Sequence, residues 1–385
     1  MTEKKYKKTL FGLVTALFWF SLYVYIPVFP TYMENLGVSH GMIGIVLGSY
    51  GFVQMLLRIP LGILSDRINK RKVFVILGVI LGTSSAVGLA FLENPYLILL
   101  MRSLSGAAAA TWVTYTILFS SYFRQEDTSK AIGIINSYTK IGQVAAMLLG
   151  GFIAQFLGTR SPFLLAAFGG IIGIVLSLGI DKKEDLERKP LKTDQLLQVA
   201  KDFNLLSVSF LAILVQLITF ATIFGFNPVI ARNIGASDTQ LGLLATLSNV
   251  PTIPAAVLAG TFFTDLIGER KTIIAGFIVV ALTTVIVPYI NNLNLLFLSQ
   301  IIGGFGRGLI YPLLMALSIK EIKDNQRATA MGFFQAIYGI GMFIGPVIVG
   351  FISDYAGLTA GFWFVTFVSV GAAILSRFLI KQKAF

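Results

Sequence analysis

The chain has 385 residues, 56% of them apolar and only 12% charged, with a mean hydropathy of +0.82. Soluble globular chains carry about a quarter of their residues as charges, so this composition excludes a soluble domain and turns most side chains toward lipid or other apolar helices. The formal charge of +12 would suggest a nucleic-acid partner in a soluble chain, whereas the absence of cysteine excludes disulfides and thiol chemistry.

A helix that crosses a bilayer needs roughly 20 apolar residues. In chain order such spans are predicted at 10–30, 42–64, 73–92, 96–119, 131–157, 162–180, 205–229, 239–263, 272–290, 294–317, 328–352 and 359–380. The expected fold class is therefore an all-α membrane protein of twelve transmembrane helices. The first segment lacks a small-residue cleavage site and reads as a span, not a removed signal. With the N-terminus in the cytoplasm, 24 of the 30 Lys/Arg fall in cytoplasmic loops and tails, and only Arg160 and Arg232 fall outside. That bias predicts a multi-pass protein of the cytoplasmic membrane with both termini cytoplasmic. It also accounts for the basic surplus through topology and anionic lipid, with no nucleic acid.

The second span carries Arg58 before Pro60, and positions 58, 62 and 66 share one helical stripe. Arg58 is expected to face the same seam as Gly62 and Asp66 and to serve a gate. The following loop, Gly62 to Lys72, holds Asp66, Arg67, Lys70 and Arg71. Span four carries Arg102 and Gly106; span five carries Lys140, nine residues into its predicted run and so near mid-membrane, with Gly142 two residues on. A charge inside a span is costly and functional by default. The four such charges, Arg58, Arg102, Lys140 and Arg307, are all cations, and no Asp or Glu lies deep in a span. An anionic, zwitterionic or neutral small-molecule substrate fits that arrangement better than a cation. The single histidine, His40, lies in the first outer loop, so no metal site and no cofactor are expected.

Residues 181–202 form the one long polar stretch and divide the chain into 1–180, a linker, and 203–385. The halves align across it. Pro30, Gly37, Ser39, Gly44 and Gly62 match Pro228, Gly235, Ser237, Gly242 and Gly260 at a shift of 198. At a shift of 199, Asp66, Gly133, Gly142 and Gly151 match Asp265, Gly332, Gly341 and Gly350. The charged loop thus returns with Asp265, Gly268, Arg270 and Lys271. Parallel repeats of this kind build two pseudo-symmetric six-helix bundles with a substrate site between them.

The first loop is similar to the loop 2–3 motif of the major facilitator superfamily, Gly-x-Leu-Ala/Ser-Asp-Arg-x-Gly-Arg-Arg, with Asn69 at the usual turn glycine. The resemblance covers nearly the whole chain. It implies a secondary transporter working by alternating access, in which Asp66 latches the cytoplasmic side against the facing half. The basic loop residues would then pair with acids such as Glu126 and Asp127. In the second copy, Leu266 replaces the Arg and Gly260 is one residue further from Asp265, which weakens that latch. Arg102 to Gly106 is similar to the family's Arg-x-x-x-Gly motif, associated there with proton coupling. Its second-half counterpart is Gln300, with Arg307 displaced by more than a turn. Gly341, Gly345, Pro346 and Gly350 are similar to the family's antiporter motif, though on span eleven where the family's drug antiporters carry it on span five; close helix packing explains them as well.

The expected function is movement of a small organic solute, with efflux as the favoured direction and with protons as a candidate coupling ion, by a monomer. The desolvated amine of Lys140 is the candidate proton carrier. Residues expected to join the cavity are Tyr23, Tyr25, Trp112, Tyr115, Asn136, Gln216, Asn227, Asn249, Tyr311, Gln335 and Tyr338. The alternatives are uptake or facilitated transport of an anionic solute, such as a carboxylate or metal-chelating metabolite, and a non-transporting membrane sensor. An intramembrane enzyme lacks a His/Asp/Glu cluster. Gly303 to Gly308 lies inside a span with no following Lys-Ser/Thr, so no nucleotide loop is expected.

Overall fold

A computed structural model describes residues 3–68, 70–124, 127–181, 201–323 and 326–380. Most of the linker, Asn69, Glu126 and the side chain of Asp66 lie outside the described residues, and so do the contacts expected of them. Ten helices among the described residues are long and apolar enough to cross a membrane. They are α2 (His40–Ser65), α3 (Arg71–Phe91), α4 (Pro95–Ser120), α5 (Lys130–Leu157), α6 (Ser161–Leu178), α7 (Phe203–Asn233), α8 (Asp238–Ile267), α9 (Glu269–Tyr289), α10 (Leu293–Lys320) and the run Thr329–Leu379. The last is two helices, α11 (329–356) and α12 (358–379), separated at Gly357 with φ 81°. Before them, α1 runs from Glu3–Tyr23 through a turn into Phe29–Asn35. The twelve helices make two six-helix bundles, α1–α6 and α7–α12.

Local chemistry sets the helix ends. Asn94 caps α4 by accepting the Tyr96 N–H at 2.9 Å, and Pro95 follows at the first helical position. Its repeat partner Asn292 caps α10 the same way through Asn294 N–H. Ser237 and Gln240 form a capping box at the start of α8. Gly158, the counterpart of Gly357, ends α5 with φ 91°, which a side chain would strain.

Inside each bundle, glycine allows helices to touch backbone to backbone. Gly142 of α5 leaves no room for a Cβ against the Ala16 carbonyl of α1. Gly341 and Gly345 of α11 stand in the same relation to the Ile213 and Leu217 carbonyls of α7. All three are the packing glycines expected from sequence. Without a hydrophobic drive between helices in lipid, such close approach is what holds a bundle.

Candidate functional site

The bundles meet along two pseudo-symmetric seams. In the first, α2 lies on α11: Gly44 abuts the Pro346 carbonyl, Gly48 abuts Phe343, Gly51 abuts Met342, and Met55 lies against Gly339. In the second, α5 lies on α8 through Gly151 and Gly242. Asn249 then reaches Met147 Sδ at 3.7 Å.

The end of the molecule opposite the 62–72 loop is tied across both seams. The N–H groups of His40 and Gly41, at the first turn of α2, each donate to the Asp354 carboxylate at 2.8 Å. The His40 ring also lies 3.2 Å from Glu34 and 3.8 Å from Asp354. In the other seam, Asp238 N–H at the start of α8 donates to Gln155 Oε1 at 3.0 Å, while its carboxylate pairs with Arg232. Gln155 and Asp354 occupy equivalent positions in the repeat. Each bundle therefore caps the leading turn of a helix of the other. A carboxylate there is favoured by the orphan N–H groups and the helix dipole.

Toward the loop end the seams differ. The first continues to Arg58, which is buried and donates to the Gln335 carbonyl at 3.3 Å, to Gln335 Oε1 at 3.2 Å and to Tyr338 Oη at 3.1 Å. Arg58 thus bridges the bundles, in line with its place on the gate stripe. Tyr311 completes the cluster, its ring 5.9 Å from that of Tyr338. In the second seam, Asn136, Ser137 and Lys140 are exposed, whereas their counterparts Gln335, Ala336 and Gly339 are half-buried or buried. Lys140 lies seven residues before Met147, two turns along the same face, so it looks into the space between α5 and α8. It reaches Gln143 of its own helix at 3.4 Å.

In the third of α4 nearest the closed end stands Arg102, 3% exposed. It donates to Tyr25 Oη at 2.9 Å and Ser105 Oγ at 3.2 Å, and its guanidinium lies 4.4 Å from the Tyr50 ring centroid. The side chain points into the protein, not toward lipid or headgroups. Tyr50 stacks on Phe220 of the second bundle at 6.2 Å, and Tyr23 meets Phe224 there edge-on at 5.8 Å. The repeat position of Arg102 is Gln300, whose Oε1 accepts from Asn227 at 2.7 Å and from Ser248 at 3.4 Å. Arg307 instead donates to the Ser248 carbonyl at 2.7 Å and ties α10 to α8. One bundle thus offers a cation on aromatic faces, the other an amide cluster.

The remaining expected residues spread out. Trp112 packs on Trp19 at 5.3 Å; Tyr115 is buried within the first bundle and donates to the Val75 carbonyl; Gln216 is half-buried on α7. Arg67 and Asp265 are exposed, Arg71 is buried, and Arg270 donates to the Arg377 carbonyl at 3.4 Å. Gly62 has only Val113, of its own bundle, within 4 Å. Tyr50, Gln54, Phe220 and the capping pair Gln155 and Asp354 were not among the expected residues. The four-residue spacing back from Arg58 reaches Gln54 and Tyr50, and the 199 shift relates Gln155 to Asp354, but neither singles them out among neutral or surface residues, and nothing in the sequence marks Phe220.

The profile of the Major Facilitator Superfamily matches residues 11–211 and again 208–384. An uncharacterised MFS-type transporter of Methanocaldococcus jannaschii is 26% identical over 369 residues, covering 92% of this chain and 93% of its own length. The multi-drug resistance efflux pump PmrA of Streptococcus pneumoniae is 25% identical over 407 residues, covering 100% of both chains. Among solved structures, a bacterial homologue of the human lysosomal transporter Spinster, inward-facing and occupied, superposes with a TM-score of 0.81 at 16% identity. That superposition covers 98% of this chain and 97% of the other.

Proposed function

The chain belongs to the Major Facilitator Superfamily, and from that premise we propose that it is a secondary active transporter which exports a small organic solute across the cytoplasmic membrane by alternating access. The observation that carries the reading is the asymmetry between the two ends. One end is held shut by Asp354 and Gln155 on two helix termini. At the other, the face of α5 from Gly133 to Lys140 stands open. A bundle interface closed at one end and parted at the other, with Arg102 and Tyr50 buried between, fits one of the two states that alternating access requires. The basic end is taken as cytoplasmic, which makes this the cytoplasm-open state. Residues 1–180 and 203–385 then act as the two moving bundles, with 181–202 as their tether, and one chain carries the whole path. The efflux direction draws on the printed name of the pneumococcal relative.

Reconstitution tests the reading. Proteoliposomes with the purified chain, loaded with labelled candidate solutes, should release them faster than protein-free vesicles. Proton coupling adds a further expectation, that a pH gradient drives release uphill. Saturable flux that responds to no gradient would favour facilitated transport, and binding without flux would favour the sensor.

A further inference from the structure

Gln54, Arg58 and Arg102, three buried side chains that each keep an unpartnered polar atom, lie on one side of the seam between the bundles. Tyr50, Gln54 and Arg58 follow one another at four-residue intervals on α2 and so form a single stripe about 12 Å long. Arg102 of α4 covers the Tyr50 end of that stripe. Gln54 is 6% exposed, its Oε1 has no hydrogen-bond partner, and no described hydrogen bond involves its side chain. The Nε atoms of Arg58 and Arg102, each residue 3% exposed, are unpartnered as well. The guanidinium nitrogens that do bond reach only neutral acceptors: tyrosine and serine hydroxyls, an amide oxygen and a backbone carbonyl.

Among the described residues no carboxylate pairs with either arginine. Two buried positive charges without a counter-charge are strongly unfavourable. A neutral occupant would leave them uncompensated, and a cation would add to the repulsion. Aromatic faces flank the same place, where Tyr50 stacks on Phe220.

Resting on the transporter reading above, we infer that this stripe binds an organic anion bearing a planar ring, with its acidic group at Arg102, its ring on Tyr50 and Phe220, and a hydrogen-bonding substituent at Gln54. Arg58 then couples the occupant to the second bundle, because the same guanidinium holds Gln335 and Tyr338 across the seam. The substrate supplies the charge that the chain lacks.

The test is equilibrium binding to the purified full-length protein in detergent, read by tryptophan emission, to which Trp19, packed on Tyr23 and on Trp112, contributes from the first bundle. The probes are 2-naphthoate, 2-naphthalenesulfonate, 2-naphthamide and 2-naphthylmethylammonium. The acids should bind at least tenfold more tightly than the amide, and the ammonium compound least. Arg102→Gln should erase the preference for acid over amide, and Arg102→Lys should keep part of it. Gln54→Leu should weaken binding of a fifth probe, 6-hydroxy-2-naphthoate, several-fold while leaving 2-naphthoate, which lacks the second substituent, and the charge preference unchanged. Equal affinity for acid and amide in the unmodified protein would overturn the inference, as would no saturable binding of either acid or equal loss of both in Arg102→Gln. Binding does not require movement. Protein that binds the acids but moves no solute in vesicles rejects the transport reading and leaves the anion site standing. Solute flux without charge preference does the reverse.

Discussion

Lys140 and Arg102 are both cations in the first bundle, yet their surroundings differ. Arg102 is enclosed by Tyr25, Ser105 and the Tyr50 ring. A guanidinium keeps its proton in proteins, so it can hold an anion but cannot carry a proton. Lys140 stands exposed on the open face of α5, donating to Gln143, so the desolvation that would let its amine give up a proton has to come from closure of that face. Lys140→Arg should therefore preserve exchange of solute across vesicle membranes. Accumulation driven by a pH gradient should fall to the level seen without one. Uphill transport at the unmodified rate would remove Lys140 from coupling. The cations were legible in the sequence because an ionisable residue inside an apolar run stands out. Tyr50, Gln54 and Phe220 were not, because neutral residues in spans are common. Their meaning comes from partners distant in the chain, as when Tyr50 meets Arg102 and Phe220.

At the scale of helices, the expected spans after the first lie on the observed helices and differ mainly at their ends, whereas the first, expected at 10–30, breaks after Tyr23 into a turn before Phe29. Helices α3 and α10 extend beyond the apolar run to the charged residues Arg71 and Lys320, because backbone hydrogen bonding does not stop where lipid does. The contacts between helices were partly readable. Gly142, Gly341 and Gly345 sit where expected and touch carbonyls of α1 and α7. Gly341→Leu should force α11 away from α7 and cost about 1–3 kcal/mol, visible as a lower thermal midpoint in detergent; an unchanged midpoint would mean that the contact yields freely. The ties of α2 to α11 and of α5 to α8 at the closed end were not readable, since a carboxylate or amide at a span end looks like any surface residue. Asp354→Ala removes a charged cap from α2, worth about 1 kcal/mol. It should raise the open population at that end roughly fivefold, measured as faster labelling of a cysteine placed at Tyr50. Labelling at the original rate would show that the cap does not hold that end.

For the whole molecule, the repeat is what made the architecture legible. Apolar composition gives spans but not their arrangement; the constant shift of Gly, Pro and Asp between halves gives two like bundles facing each other. The sequence could not indicate which end is closed, because both states share nearly all contacts within each bundle and differ only in those between bundles. The central claim is that the bundles must separate at the Asp354 end for solute to pass. The cysteine-free chain allows a direct measurement: flux through proteoliposomes of the His40→Cys, Asp354→Cys double variant, before oxidation, after oxidation and after reduction, using the solute that the unmodified protein moves fastest. Flux should fall to the protein-free level when the crosslink forms and recover on reduction. Undiminished flux with the crosslink fully formed would contradict alternating access through this end.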